Sequence, residues 1–353
     1  MSFPFVQPYF GLGNSLQTAQ AGGAGGIGGW VELARTTLGS AGDDIDVTSI
    51  ANKRYLMILN DVKMDGSDGQ MTYRFNADSG TNYARRYSIN GASDSTSLSN
   101  TQAPISDGLG GNPGFAVSYV SNLAAKEKLV LSQCCEQNTA GAGTAPNRYE
   151  ATPKWANTSN AINAVGMHNS STSDFSIGSE TVVLGWDPED THTTNFWEEL
   201  ASVSANGSSN TLSASFTSKK YLWVQCYEES SAGSVSFRVG NSTLDTGNNY
   251  ALRYSSDGGA EDLTTGIDSM DGLTSTTPIF WNYFIINNSA SEKLAMCHVV
   301  RQNTAGAGTA PKRIESVSKW ANTSAQIDTV GFTAADGGAT ILSNSILKVW
   351  GAN

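Results

Sequence analysis

The chain has 353 residues, of which 39% are hydrophobic and only 15% are charged, and its formal net charge at pH 7 is −11. The hydrophobic share is enough for a buried core, whereas the acidic balance argues against a nucleic-acid groove, which needs clustered Lys and Arg. No window approaches the roughly 18 consecutive apolar residues of a membrane-spanning helix. We therefore expect neither a nucleic-acid partner nor a membrane span.

The first 29 residues differ in kind from the rest of the chain. Residues 1–20 mix aromatic residues and prolines without a helical or strand period, and residues 21–29 read AGGAGGIGG, the composition of a flexible tether. The start carries no basic residue, so it does not read as a secretory signal. An apolar peptide on a tether is a liability unless it docks, and we expect docking on another subunit ahead of docking on its own domain. The candidate docking residues are Phe3, Phe5, Tyr9, Phe10 and Leu12.

After the tether, the chain contains one unit twice. Residues 137–166 read QNTAGAGTAPNRYEATPKWANTSNAINAVG, and residues 302–331 read QNTAGAGTAPKRIESVSKWANTSAQIDTVG. This near-identity indicates an internal duplication. Weaker matches extend it back to WVELA at Trp30 and WEELA at Trp197.

The pattern within each copy is that of β-structure. Short β-branched or aromatic runs such as LMILNDV, QMTYRFNA and KLVLSQ are separated by Gly, Ser, Asn and Asp, and helical periodicity is nearly absent. The sequence therefore predicts an all-β protein with two tandem, homologous, jelly-roll-like β-sandwich domains of about eight strands each. We place the domains at residues 30–187 and 195–353, with a linker at 188–194.

Four cysteines are too few for a disulfide framework in a chain of this length. Cys134 and Cys135 are adjacent in a predicted strand, so their side chains point to opposite faces, and the second copy has valines in their place. We interpret them, together with Cys226 and Cys297, as small apolar residues rather than metal or redox groups.

The shared loop NTAGAGTAP is rich in glycine like a phosphate-binding loop, but it lacks the Lys-Ser/Thr and the following helix that such a loop needs. It predicts a hairpin whose glycines permit positive φ. Its near-identity in both copies exceeds what turn geometry requires and indicates a shared contact.

A Trp follows the loop in each copy and precedes Ala-Asn-Thr-Ser. Such a group either stacks on a sugar at the surface or places a core Trp at the end of a strand, and we favour the core interpretation. We expect the Arg-Tyr pairs at Arg86 and Arg253 to be inter-strand contacts. The residues that would form a surface contact are Asn138, Thr139, Trp155 and Asn157 in the first copy and Asn303, Thr304, Trp320 and Asn322 in the second.

The sequence offers little support for catalysis or metal binding. His168, His192 and His298 do not recur at equivalent positions, and no hydrolase or zinc-protease motif is present. Residues 65–69 read DGSDG, which resembles the start of a calcium loop but lacks the later ligands. We therefore expect no enzymatic activity, no cofactor and no metal.

The apolar segment PFVQPYFGLGNSLQT, the Gly-rich tether and the units reading GWVELARTTLG, EKL, QNTAGAGTAP and KWANTS resemble structural proteins of marine bacteriophages and related viruses. The resemblance covers essentially the whole chain and implies a β-sandwich unit and a place in the virion, with no active-site residues. The expected function is a surface appendage or decoration protein, of the tail-fibre or capsid-spike type, attached through residues 1–29. The alternatives are a double jelly-roll major capsid protein and a free glycan-binding protein with two equivalent domains.

The expected partners follow from the same interpretation. Viral β-sandwich proteins gain stability by covering sheet edges across subunits, which predicts a closed homo-oligomer, with a trimer as the expected state. Other virion proteins are expected to bind residues 1–29, and a host cell-surface glycan is a further candidate partner.

Overall fold

The computed structural model describes residues 29–190, 194–335 and 338–353, and within these ranges the chain contains strands and no helix. None of this described part therefore offers a helix long and apolar enough to cross a membrane. The strands of the first repeat are β1 (Val31–Thr37), β2 (Asp44–Val47), β3 (Tyr55–Lys63), β4 (Thr72–Phe75), β5 (Tyr83–Ile89), β6 (Ser95–Asn100), β7 (Ala103–Pro104), β8 (Pro113–Ser121), β9 (Lys128–Glu136), β10 (Asn147–Trp155), β11 (Val165–His168) and β12 (Glu180–Trp186).

The second repeat follows the same course. Its strands are β13 (Glu198–Ser204), β14 (Thr211–Ser215), β15 (Tyr221–Glu228), β16 (Ser234–Asn241), β17 (Thr243–Leu244), β18 (Tyr250–Ser256), β19 (Glu261–Ile267), β20 (Asp271–Thr274), β21 (Ile279–Ile286), β22 (Lys293–Arg301), β23 (Lys312–Trp320), β24 (Thr329–Ala334) and β25 (Ile346–Ala352). Each repeat thus has more strands than the eight expected, because several short strands lie between the longer ones.

Each repeat is a sandwich of one large and one small antiparallel sheet. The large sheets have the orders β1-β12-β3-β8-β9-β10-β5-β6 and β13-β25-β15-β21-β22-β23-β18-β19, and the small ones β2-β11-β4-β7 and β14-β24-β16-β17. The register also repeats, since Tyr55 lies opposite Ser121 in the first copy and Tyr221 opposite Ile286 in the second. The predicted all-β fold with two similar sandwich domains is confirmed.

Alternation along the strands decides which side chains enter each sandwich. In β15, Leu222, Val224 and Cys226 lie in the core between the large and small sheets of the second repeat. Tyr221 and Trp223, which alternate with them, lie in a different apolar cluster on the opposite face of the large sheet. The large sheet is therefore buried on both faces along this strand.

The two tryptophans of the repeated motif occupy matching core positions. Trp155 and Trp320 are both buried, and the indole N–H of each donates a hydrogen bond of 2.7 Å to an aspartate, Asp78 in the first repeat and Asp245 in the second. Their assignment as surface contacts is therefore wrong, and the core interpretation is confirmed. Each indole can be buried at the end of its strand because its one polar group has a partner.

A third apolar core joins the repeats, because their two large sheets pack face to face. The molecule is therefore four layers thick, in the order small, large, large and small sheet. Burying a large apolar side chain contributes about 1.5–3 kcal/mol, so this core holds the repeats firmly together. It consists of Met57, Leu59, Phe115, Val117, Cys135, Val182 and Leu184 from the first repeat and Trp197, Tyr221, Trp223, Phe284, Ile286, Leu294, Met296, Val317, Trp350 and Ala352 from the second.

The segment between the repeats is tied to the first sandwich at its start. Arg54 pairs with Asp187 at 3.3 Å, and Lys53 pairs with Asp190. The docking residues Phe3, Phe5, Tyr9, Phe10 and Leu12 lie outside the described residues, as does His192.

Candidate functional site

The repeated Gly-rich loop of the first copy, residues 138–146, lies on the second repeat. It joins β9 to β10 as a hairpin, as predicted. The ammonium group of Lys319 donates hydrogen bonds to the carbonyl of Gln137, at 3.1 Å, and to that of Thr139. The backbone N–H of Gly141 donates to the carboxylate of Glu292. Backbone groups of one repeat are thus satisfied by side chains of the other.

Two further carbonyls of this loop accept hydrogen bonds from the second repeat. Ala142 accepts from the backbone N–H of Gly266 at 2.8 Å, and Pro146 accepts from Nε of Arg253 at 2.7 Å. Arg253 thus contacts the other repeat in addition to its inter-strand pair with Glu261 of β19.

A buried arginine anchors the loop where it enters β10. The side chain of Arg148 is 3% exposed, and it lies 3.1 Å from Glu261 and 3.2 Å from Glu150. Its guanidinium group also donates to the carbonyl of Glu315 at 3.2 Å. Glu261 in turn pairs with Arg253 at 2.6 Å. Removing one member of such a network leaves an uncompensated buried charge, so the cluster fixes how the repeats fit together.

Lys319 and Glu292 form a buried pair beneath the loop. Their charged atoms are 3.4 Å apart, and their side chains are 0% and 3% exposed. Burial lowers the pKa of Lys319, and the nearby Glu292 opposes that shift. The carbonyls of the loop take the place of water around the ammonium group, so the loop is what permits the lysine to stay buried.

Ion pairs also join the two repeats at the opposite end of the interface. Lys220 of the second repeat pairs with Asp61 at 2.9 Å and with Glu180 at 3.0 Å, and the hydroxyl of Tyr221 donates to Glu180 at 2.7 Å. Burial alone would lower the pKa of Lys220, but the two carboxylates outweigh it and raise that pKa. For Glu180, hydrogen bonds from Thr37 and Tyr221 overcome burial and lower the pKa.

The asparagines expected at a surface contact instead shape their own loops. Nδ2 of Asn138 donates to the carbonyl of Ala145, and Nδ2 of Asn303 donates to that of Ala310, each at 3.2 Å. Oδ1 of Asn157 and of Asn322 accepts two backbone N–H groups of the turn that follows it. Among the candidate surface residues, only Thr139 and the second-copy pair Asn303 and Thr304 have exposed side chains.

Among the described residues, the cysteines and histidines are not gathered into a site. Cys134 lies in the sandwich core and Cys135 in the core between the repeats, on opposite faces as predicted. All four cysteines are buried and free. His168 contacts Asp44 at 2.5 Å, and His298 is exposed on β22. Within the described ranges, no group of three or more His, Cys, Asp or Glu is placed to hold a metal ion.

A cleft of about 450 Å³ opens on the second repeat between β18, β20 and β22. It is lined by Tyr254, Asp271, Arg301 and Lys312 among others. The position of Arg301 is held by Glu136 in the first repeat, so the lining is not conserved between the copies. The cleft therefore does not supply the two equivalent sites of a bivalent glycan-binding protein.

The sequence did not reveal Arg148, Glu261, Lys319 and Glu292 as interface residues. A sequence signal exists for two of them, because Lys319 and Glu292 are retained in the first copy as Lys154 and Glu127. Without the fold, nothing indicated that these residues lie beside the loop of the other repeat.

No protein-family model matches the chain, and no curated protein matches it. Among solved structures, the chain is similar to domains LG4-5 of the mouse laminin alpha1 chain, at 10% identity and a TM-score of 0.21, over 91% of this chain and 89% of that one. It is also similar to the LG1-3 region of the laminin alpha2 chain, at 9% identity and a TM-score of 0.22, over 88% and 64%. Human GIVD cytosolic phospholipase A2 follows at 7% identity and a TM-score of 0.14, over 78% and 33%. These likenesses are too low to transfer a function, which therefore has to be argued from the residues of this chain.

Proposed function

We propose that the protein is a non-enzymatic structural component of a virus particle, a surface appendage or decoration protein attached through residues 1–29. The supporting observation is the use of the repeated motif. In the first repeat, the loop at 138–146 is engaged in a protein–protein contact with the second repeat. A motif retained in both copies for building an interface is what an assembly protein needs.

The construction of the molecule supports the same function. Two sandwiches joined by a third apolar core form a stiff body with many buried side chains at the junction. Such a body is suited to projecting from a particle, where it has to keep its shape without a cofactor or a moving part. The low content of charged residues makes further subunit contacts inexpensive in desolvation.

Two alternatives remain in view. A double jelly-roll major capsid protein shares the two tandem sandwiches, and it is separated from an appendage by copy number, because a shell needs hundreds of copies per particle. A free glycan-binding protein with two equivalent domains would use matching sites in both repeats. The buried tryptophans and the non-repeating cleft weigh against that alternative.

The test is to find the protein on particles. An antiserum raised against the purified chain is applied to particles produced from the genome that encodes it, and labelling is viewed by immunogold electron microscopy. We expect label on the outside of intact particles, with tens of copies by gel densitometry of purified particles. Hundreds of copies would favour the shell protein, and absence from purified particles would overturn the proposal.

A further inference from the structure

The surface of the second repeat that receives the first loop has an exposed equivalent on the first repeat. Beneath the loop, Lys319 and Glu292 are buried, with side chains 0% and 3% exposed. Their equivalents, Lys154 and Glu127, form the same ion pair at 2.8 Å but are 45% and 39% exposed. The duplication has thus kept the receiving pair where nothing in the described chain covers it.

The apolar surroundings of this pair are also kept and left open. Leu294 and Met296 of β22 are each 1% exposed because the first repeat covers them. The equivalent residues of β9, Leu129 and Leu131, are 58% and 63% exposed. Two adjacent exposed leucines on one face of a strand are an unusual feature for a surface that stays in water.

The remaining receiving groups recur at equivalent positions. The pair of Arg253 with Glu261 corresponds to Arg86 with Asp94, which lie 3.6 Å apart and are exposed. Gly266, whose N–H binds the loop, has φ of 61°, and its equivalent Ser99 has φ of 52°. The backbone of the first repeat therefore presents its N–H from the same left-handed conformation.

The second copy of the loop supplies the matching half. Residues 303–311 have the same sequence as residues 138–146, and they are exposed. Arg313, the equivalent of Arg148, is 61% exposed where Arg148 is 3% exposed. Val300 is exposed where its equivalent Cys135 is buried. One chain therefore carries an unused loop at one end and an unused receiving surface at the other.

We propose that the loop at 303–311 of one molecule docks on the first repeat of a second copy of this chain, repeating the contact that joins the two repeats within a molecule. The contact is heterologous, because the loop of one copy meets the receiving surface of the next, so chains associate head to tail. The bonds expected between molecules are Lys154 to the carbonyls of Gln302 and Thr304, Glu127 to the N–H of Gly306, Arg86 to the carbonyl of Pro311, and Arg313 to Asp94.

At the other end of the proposed contact, the residue types differ from those within the chain. Within the chain, Asp61 and Glu180 bind Lys220 and Tyr221. At the positions of Asp61 and Glu180, the second repeat has Tyr227 and Ile346, and both are exposed apolar residues. Between chains, these two residues would face Arg54 and Tyr55, the equivalents of Lys220 and Tyr221. Because Arg54 already pairs with Asp187 of its own repeat at 3.3 Å, it needs no carboxylate from the neighbouring chain.

This inference goes beyond the proposed function and does not depend on it, because the association is a property of the purified chain alone. The test uses sedimentation of the full chain at micromolar concentrations. Leu131→Asp alters the receiving surface, and Arg313→Glu alters the loop end. Both side chains are exposed in the single chain, so both variants should fold normally. The control is Ile177→Asp, since Ile177 is 69% exposed and belongs to neither surface.

We expect the wild-type chain and the Ile177→Asp control to sediment as assemblies larger than one chain. Leu131→Asp and Arg313→Glu should each weaken association about 100-fold, the loss typical of a disrupted charged or apolar contact. Mixing these two variants leaves one intact loop and one intact receiving surface, so the mixture should form a complex of two chains. A monomeric wild type, association that survives both changes, or a mixture that stays monomeric would each overturn the proposal.

Discussion

At the scale of single residues, Glu228 is the clearest departure from the rules of a β-sandwich core. It lies at the end of β15 and is fully buried, at the position where the first repeat has Val62. Its carboxyl oxygens have no hydrogen-bond partner among the described residues. Burial, together with the neighbouring Glu229, raises the pKa of Glu228 to about 8. The folded protein therefore holds a proton here that the unfolded chain releases from about pH 4.5 upward.

The sign of the resulting pH dependence follows from linkage. Because the folded-state pKa is raised, the ionisation of Glu228 has no effect on stability at low pH and destabilises the fold increasingly as pH rises from about 4.5 to about 8. We expect Glu228→Gln, which cannot ionise, to remove about 2–4 kcal/mol of this loss. Urea unfolding of wild type and variant at both ends of this range measures the difference. Equal changes in stability with pH for the two proteins would contradict the assignment.

At the scale of elements, the two copies of the Gly-rich loop provide an internal comparison. Lys319 is buried beneath the first loop with Glu292, whereas Lys154 and Glu127 form the same pair in the open. Lys319→Met should destabilise the chain by about 3 kcal/mol, because it leaves the carboxylate of Glu292 buried without its opposite charge. Lys154→Met, the matched control, should change stability by less than about 0.5 kcal/mol, as is usual for an exposed pair.

The free energy of unfolding of the two variants and of the wild type is measured by urea unfolding, at protein concentrations low enough to keep the chains monomeric. Since the two substitutions are chemically identical, differences in helix or strand preference between the residue types cancel. Equal losses for Lys319→Met and Lys154→Met would mean that the loop contact contributes nothing to the burial of the pair.

The loop at residues 138–146 and the strands beside it show which features the sequence could predict and which it could not. Alternation predicted that Cys134 and Cys135 lie on opposite faces of a strand, and the hairpin at residues 138–146 followed from its glycines. The loops at 138–146 and 303–311 have the same sequence but differ in burial, because only the first lies against a surface of the other repeat. Two-residue strands such as β7 and β17 carry too few residues for a pattern, which explains the underestimated strand number.

The β-bulges show how closely the copies agree at this scale. The pairing of β1 with β12 shifts register between Glu32 and Ala34, and that of β13 with β25 shifts between Glu199 and Ala201. These positions are equivalent in the two repeats. A retained bulge sets the twist of the edge strand, so the large sheets keep a common shape while their outward faces have diverged.

At the scale of the whole molecule, this divergence means that the two repeats contact each other through different ends of their large sheets. The first repeat presents the end of its large sheet near the Gly-rich loop, through Phe115 and Cys135, and the second presents the opposite end, through Leu294 and Met296. A symmetric pairing of identical faces would use the same residues on both sides. In this arrangement, part of the outer face of each large sheet is left uncovered. The uncovered part differs between the repeats, so the folded chain has two different ends.

The N-terminal segment is expected to attach such a body to a particle. Nothing in either repeat resembles residues 1–29, which assigns them a role that the sandwiches do not have. Phe3, Phe5, Tyr9, Phe10 and Leu12 would each contribute about 1.5–3 kcal/mol if fully buried against a partner. Ordering the peptide opposes this by about 1–2 kcal/mol per residue, so docking needs several copies or backbone pairing with the partner as well.

We expect deletion of residues 1–29 to leave both sandwiches folded, with unchanged thermal unfolding, while the truncated chain fails to join the particle. The reason is that the cores of both repeats and the core between them are built from later residues. Calorimetry of the purified truncated chain checks the first part, and its amount in purified particles relative to the full chain checks the second. Normal incorporation of a folded, truncated chain would show that the segment is not an anchor, and the appendage proposal would lose its main support.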